Sequence, residues 1–124
     1  MSYESPNYVY TENSAIFELK RMLDDAKVPY DYYDSRDTNL ELVGKVCPKI
    51  QISYPNNGNN RACSVIQGYG TYGSEDNRLE IMGLLSQEED GGNPDSVKGW
   101  LTAKDVFNRI SKHWQKVLSV FDVR

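Results

Sequence analysis

The first long pattern of apolar and polar positions in the chain has a helical period. In SAIFELKRMLDDAKV, residues 14–28, apolar side chains recur at steps of three and four residues, which predicts an amphipathic helix. These apolar positions are Ile16, Leu19, Met22, Leu23 and Ala26. Ser14 or Asn13 can cap the amino end of this helix, and Pro29 ends it.

Segments with a two-residue period follow and predict strands. PYDYYDSRD at 29–37 is short, aromatic and closed by turn residues, and KIQISY at 49–54 alternates apolar with polar positions. RACSVIQ at 61–67 is the expected partner strand. The intervening PNNGNN predicts a hairpin loop, because its residues tolerate positive φ. In SEDNRLEIMGLLSQEED at 74–90, Leu79 and Ile81 alternate with Glu80 and Met82, which favours a strand, with a helix as the alternative.

The last pattern is helical again and follows a polar loop, EEDGGNPDS at 88–96. GWLTAKDVFNRISKHWQKV at 99–117 predicts a second helix, with Thr102 as its N-cap and Asp105 completing a variant capping box. Its expected apolar face consists of Trp100, Val106, Phe107, Ile110, Trp114 and Val117. The order of elements predicts a single α+β domain, residues 1–124, in which an antiparallel sheet packs with two main helices, one near each end of the chain.

Charge narrows the range of partners. The net charge is −4, yet residues 98–124 hold six Lys or Arg against two Asp, so this part is basic and the first 97 residues are strongly acidic. Duplex nucleic acid is therefore not an expected partner. A compact anion can dock on the basic part, although the same cations can simply complement a helix dipole. Without a signal peptide or an apolar run long enough for a bilayer, we expect no membrane association and a cytoplasmic location.

Residues suited to catalysis are sparse. Cys47 and Cys63 lack CxxC spacing, which favours reduced thiols, with a disulfide as the alternative. The single His113 has no second His or Cys at metal-ligand spacing, and no Ser–His–Asp set can be assembled. We expect neither a metal site, a cofactor nor an enzymatic activity.

The stretch GYGTYG, residues 68–73, matches the glycine spacing G-x-G-x-x-G of dinucleotide-binding loops. Such loops lead from a strand into a helix whose amino end holds the pyrophosphate. Here the acidic SEDNR and an alternating segment follow instead. The pattern therefore favours a turn between two antiparallel strands. A flexible binding loop that offers Tyr69 and Tyr72 as stacking surfaces remains the alternative.

The segments CSVIQGYGTYG, LEIMGLLSQEE and VKGWLTAKDVFNRISKHW, within residues 60–115, resemble a family of small proteins encoded by phages and prophages of Gram-positive bacteria. The family is the first type of Thoeris anti-defence "sponge" proteins, and GWLTAKDVFNRISKHW is the most specific part of the resemblance. It implies a non-enzymatic protein that binds cyclic ADP-ribose isomers made by host TIR-domain enzymes and holds them without cleavage. Some members also take cyclic di- or trinucleotides at a separate site, and members form dimers or larger oligomers with pockets at subunit interfaces.

A cyclic ADP-ribose needs guanidinium groups for its two phosphates and an aromatic or thioether face for its base. Arg109, which matches the arginine of the family's helix, is the first phosphate candidate, and Arg61 is the second. For each, the alternative is a solvent-exposed arginine without a ligand. The further candidates are Met82, near which the family prefers an aromatic residue, Asn93 in the long loop, Lys112, His113 and Tyr69.

Two other classes of function compete with the sponge. An acidic phage inhibitor or adaptor would bind a host protein, with strong salt dependence and no effect of small molecules. An enzyme that cleaves nucleotides would show turnover, and the sparse catalytic residues count against it.

Overall fold

Five antiparallel strands follow one another across a single sheet in chain order, in a computed structural model that describes residues 8–37 and 49–121. The strands are β1 (Asp31–Asp34), β2 (Lys49–Tyr54), β3 (Cys63–Gly68), β4 (Leu79–Gly83) and β5 (Val97–Leu101). The helices are α1 (Ala15–Asp25), the short α2 (Gln87–Asp90) and α3 (Ala103–Phe121). The predicted α+β fold, with a helix near each end of the chain and an antiparallel sheet between them, is confirmed.

One face of the sheet carries the core. α1 packs on β2 and β3, α3 packs on β4 and β5, and the two helices contact each other. Side chains that lie wholly inside include Leu19 of α1, Ile52 of β2, Ile81 of β4 and Ile110 of α3. Burial of such side chains contributes roughly 1.5–3 kcal/mol each, so the periodic apolar positions supply the main force that holds both helices on the sheet.

The amino end of α1 is capped by side chains from β3 and from the β3–β4 connection, and not by its own side chains. Ser14 occupies the N-cap position, but its Oγ accepts a hydrogen bond from Thr11 N instead of from the helix. The first-turn amides of Ala15 and Ile16 donate to Asn77 Oδ1 and Gln67 Oε1, both at 2.8 Å. Ser14 is therefore the N-cap residue by position, as predicted, but its side chain makes no capping hydrogen bond, because side chains distant in sequence occupy the free amides.

The second main helix begins at Ala103, directly after the predicted N-cap Thr102, but residues 99–101 of the segment assigned to it are not helical. Residues 97–101 form β5, which pairs with β4 through Leu79–Leu101 and Ile81–Lys98. Trp100 therefore lies on a strand and not on the apolar face of the helix, and its backbone is left-handed with φ 57°. The capping box is confirmed: Asp105 N donates to Thr102 Oγ1 at 3.0 Å, and Thr102 N donates to Asp105 Oδ2 at 3.2 Å.

GYGTYG connects β3 to its antiparallel neighbour β4. A 3₁₀ turn, Ser74–Asp76, follows the stretch, and the chain then enters a strand. The predicted turn between antiparallel strands is confirmed, and the strand–loop–helix order of a dinucleotide-binding loop does not occur here.

Polar loops elsewhere are partly ordered. The segment expected to be a long polar loop, 88–96, overlaps the carboxyl-terminal part of α2, whose capping box joins Ser86 and Glu89. Cys63 is a buried free thiol, and burial raises its pKa to about 12; Cys47 lies outside the described residues.

In the part of the chain that the structure describes, no helix has the length and apolar character that crossing a bilayer requires.

Candidate functional site

A groove runs along one side of α3 and has a volume of about 540 Å³. We call it the α3 groove; its wall from α3 carries Arg109, Lys112, His113 and Lys116, and its other wall carries Leu84, Leu85, Ser86 and Glu89. The four α3 residues are spaced by three, one and three positions, which places them on one side of a helix. Three candidates from the sequence, Arg109, Lys112 and His113, are thus brought together.

Arg109 is held by a carboxylate in this groove. Its Nη1 and Nη2 donate to Glu89 Oε1 and Oε2 at 2.8 and 2.6 Å, and Nη1 also donates to the Leu84 carbonyl at 2.9 Å. The hydrogen bonds from Arg109, followed by one from the Ser86 backbone, lower the pKa of Glu89 to about 2. The same pairing raises the pKa of Arg109. The guanidinium is therefore fixed in position, with its planar fork already occupied.

The local fold of residues 86–91 explains why Glu89 reaches Arg109. Ser86 Oγ accepts from Glu89 N at 3.2 Å, while Glu89 Oε1 accepts from Ser86 N at 2.8 Å, so α2 begins with a reciprocal capping box. This capping box fixes the position of the carboxylate that binds Arg109. The spacing S-x-x-E was visible in the sequence as a capping signal, but its partner on α3 was not. Glu89 is the site residue that sequence reasoning missed.

His113 joins the groove to the core. Its Nδ1 shares a 2.7 Å hydrogen bond with the Tyr54 hydroxyl, and the two rings meet edge to face at 5.4 Å between centroids. Tyr54 is completely buried, and burial raises its pKa to about 12. The imidazole is thereby fixed through Nδ1. Its Nε2 forms no hydrogen bond within residues 8–37 and 49–121 and is the ring nitrogen left for a ligand.

The other four candidates lie elsewhere. Arg61 is at the β2–β3 hairpin, where its Nη1 donates to Asn57 Oδ1 at 3.3 Å. Met82 pairs across the sheet with Ser64 and follows the core residue Ile81, so it points to the face opposite α3. Asn93 is exposed in the turn after α2, where its Oδ1 accepts from Asp95 N.

Tyr69 belongs to a separate pocket beside the GYGTYG turn. This aromatic pocket has a volume of about 290 Å³, and its side-chain walls include Tyr8, Tyr69, Tyr72, Glu75, Asp76 and Trp100. None of these residues lines the α3 groove. Tyr69 and Arg109 therefore line two different pockets within one copy of the chain.

Comparison with protein families, with curated proteins and with solved structures gives no match to this chain. The geometry of its own residues is therefore the basis for a functional proposal. Among the described residues, no group of three or more His, Cys, Asp or Glu side chains is placed to hold a metal ion.

Proposed function

We propose that this protein binds and sequesters a cyclic ADP-ribose-type signalling nucleotide in the α3 groove, without cleaving it. The observation that carries the proposal is the convergence of Arg109, Lys112 and His113 on one groove, together with Lys116. The resemblance of GWLTAKDVFNRISKHW to the anti-defence sponges supplies the ligand class. In that role the protein acts in the cytoplasm of an infected bacterium and blocks TIR-dependent Thoeris immunity.

The charge of the groove suits two linked phosphates. Lys112 and Lys116 are exposed and form no ion pair with any described residue, while the charge of Arg109 is matched by Glu89. Two uncompensated cations therefore face a ligand that carries two phosphate charges. Arg109 adds a planar fork that can take two phosphate oxygens at once, provided that the Glu89 carboxylate moves away.

The shape and the apolar wall suit the rest of the nucleotide. A volume of about 540 Å³ lies within the range of roughly 300–1,000 Å³ that is typical of small-molecule sites. Leu84 and Leu85 are partly buried against the core and offer an apolar surface to a base. The polar groups that remain, Ser86 Oγ and His113 Nε2, can bind ribose hydroxyls.

A second copy of the chain completes the proposal. The groove is open along its length, and an open site holds a ligand poorly unless something covers it. We therefore include a homodimer or larger homo-oligomer, in which a neighbouring subunit covers the ligand. Cyclic di- or trinucleotides at a separate site belong to the same proposal.

Capture and release tests this function. The purified protein is incubated with cyclic ADP-ribose isomers, freed of unbound ligand, heat-denatured, and its released ligand is chromatographed. Recovery of intact ligand supports sequestration, recovery of an altered ligand identifies an enzyme, and the absence of captured ligand refutes the proposal. Lys112→Gln should reduce capture. Lys104→Gln, an exposed lysine of the same helix outside the groove, is the matched control and should not.

A different result distinguishes the acidic inhibitor. That function predicts no captured nucleotide together with salt-sensitive binding to a host protein. Calorimetry with cyclic ADP-ribose at two salt concentrations, followed by cross-linking in infected-cell extract with mass-spectrometric identification, separates the two functions. Capture of nucleotide at both salt concentrations favours the sponge.

A further inference from the structure

Beside the GYGTYG turn, two large aromatic rings lie in water with little cover. Trp100 is 59% exposed and Tyr72 is 54% exposed. Their rings are nearly parallel, at an interplanar angle of 22° and a centroid distance of 6.0 Å. Tyr69, which is 46% exposed, lines the same aromatic pocket. Contiguous exposed aromatic surface of this kind marks binding sites in soluble proteins.

The position of these rings is fixed by the backbone. Trp100 N donates to the Tyr72 carbonyl at 3.2 Å, which ties the end of β5 to the turn. A Cβ on Gly99 would lie 2.3 Å from Tyr72 Cβ, so the two segments approach as closely as glycine permits. The indole Nε1 donates to Asp76 Oδ2 at 3.3 Å and orients the ring. A bulky residue in the left-handed region, as Trp100 is, persists only where its surroundings hold it there.

The charge of the pocket excludes phosphates and selects a cation. Glu75 and Asp76 line it, and neither forms an ion pair with a Lys or Arg in the described parts of the chain. The nearby Arg78 directs its Nη1 to the backbone carbonyls of Asp76 and Asn77. An aromatic face with adjacent carboxylates attracts a cation through the ring quadrupole and through charge. The aromatic pocket is therefore negatively charged, whereas the α3 groove carries the cations Lys112 and Lys116.

Elsewhere in the chain, an arginine is already bound by aromatic rings and a carboxylate together. The Arg36 guanidinium lies 4.7 Å from the centre of the Tyr10 ring and 5.7 Å from that of Phe17. It also donates to both carboxylate oxygens of Asp34, at 2.6 to 2.9 Å. A guanidinium thus satisfies aromatic faces and a carboxylate simultaneously, because it is planar and weakly hydrated.

We infer that the aromatic pocket is a second binding site, which takes an arginine side chain from a basic segment of a partner protein. The guanidinium stacks on the exposed face of the Trp100–Tyr72 ring pair and pairs with the Asp76 and Glu75 carboxylates. This ligand and these residues differ from those proposed for the α3 groove. An experiment can therefore disprove one site without affecting the proposal for the other.

A tetra-arginine peptide tests the inference, with fluorescence anisotropy of the labelled peptide as the readout at low salt. Wild type should bind it more tightly than tetra-lysine, because an ammonium lacks the flat face. Trp100→Ala should weaken binding roughly 3- to 30-fold, the range of a cation–aromatic contact. Asp76→Asn, which keeps the side-chain shape, should also weaken it and guards against a folding defect in the first variant.

Two control variants separate this site from general attraction to an acidic protein. Tyr33→Ala removes another exposed aromatic ring, on β1, and Asp25→Asn removes an exposed carboxylate at the end of α1. Both should bind the peptide within about twofold of wild type, the expectation for surface changes remote from a site. Equal binding by all four variants, equal binding of tetra-lysine, or no binding by wild type overturns the inference. A fall in oligomer size on Trp100→Ala, without peptide, assigns the pocket to a second copy and overturns the partner chosen here.

Discussion

Glu89 and Arg109 are joined by two hydrogen bonds, one to each carboxylate oxygen, 2.8 and 2.6 Å long, across a separation of twenty residues. The carboxylate occupies the fork that a pyrophosphate would need. A nucleotide that enters the α3 groove must therefore exchange one anion for another at Arg109, which lowers the net gain from each phosphate contact. The pair both positions the arginine and competes with its proposed ligand.

Glu89→Gln should strengthen nucleotide binding. The neutral amide keeps the size of the side chain but no longer competes for the guanidinium, so we expect cyclic ADP-ribose to bind about 3- to 10-fold more tightly, which is roughly 0.7–1.4 kcal/mol. Isothermal calorimetry measures the change. Glu88→Gln is the matched control, since Glu88 lies on the same short helix and does not line the groove. Weaker binding by Glu89→Gln would mean that the carboxylate itself contacts the ligand.

Arg109→Ala should weaken cyclic ADP-ribose binding by about 10- to 150-fold, because a charge-assisted pair contributes roughly 1.5–3 kcal/mol. Arg109→Lys should recover part of the loss, since an ammonium lacks the planar fork. The side chain of Arg109 is one-quarter exposed in the wild type. Loss of its ion pair with Glu89 in Arg109→Ala should therefore lower the free energy of unfolding by about 1 kcal/mol. Unchanged affinity in Arg109→Ala would remove Arg109 from the site, and complete unfolding would assign it a structural role.

The stability of the fold should depend on the ionisation of Glu89 in acid. Its pKa is about 2 in the folded protein, against an ordinary value of 4.5 for a glutamate side chain. A lowered folded-state pKa stabilises the fold above the unfolded-state value, and this contribution is lost as the pH falls from about 4.5 towards 2. After allowance for solvent exposure, it amounts to about 1 kcal/mol. Urea unfolding at pH 7 and pH 3 should show the difference between wild type and Glu89→Gln shrinking at the lower pH. A constant difference would contradict the pairing.

Gly70→Ala should disturb the turn and leave nucleotide capture intact. Gly70 has φ 85° and nothing within 4 Å of an added Cβ, so the cost is conformational and not steric. A left-handed backbone costs a non-glycine residue roughly 1–2 kcal/mol, which thermal unfolding can measure. A stable Gly70→Ala protein without nucleotide binding would restore a ligand-binding role to GYGTYG.

The protein should be a dimer or larger assembly at micromolar concentration. Tyr32 and Tyr33 on β1, together with Leu118 and Val120 near the carboxyl end of α3, expose apolar surface outside the aromatic pocket, and such surfaces are usually covered in solution. Multi-angle light scattering is the measurement. A monomer would count against the proposed interface cover of the α3 groove.

Local periodicity was enough to predict α1, α3 and the central strands, because side-chain spacing along one element decides which face is buried. It failed at Trp100, whose apolar side chain fits a helical stripe but whose left-handed backbone belongs to β5. For the candidate site, helical spacing was enough to predict that Arg109 and Lys112 lie on the same face of α3, and both line the α3 groove. Glu89 could not be paired with Arg109 from spacing, since tertiary packing sets that contact.

The cap of α1 makes one helix depend on the hairpin that faces it. Gln67 lies at the end of β3 and Asn77 lies just before β4, and together their side chains bind the free amides of Ala15 and Ile16. If the β3–β4 connection opens, Gln67 and Asn77 move away and the amides of Ala15 and Ile16 become exposed to solvent in the same event. Amide hydrogen exchange should therefore report the first turn of α1 and this hairpin as one cooperative unit, with matched protection factors.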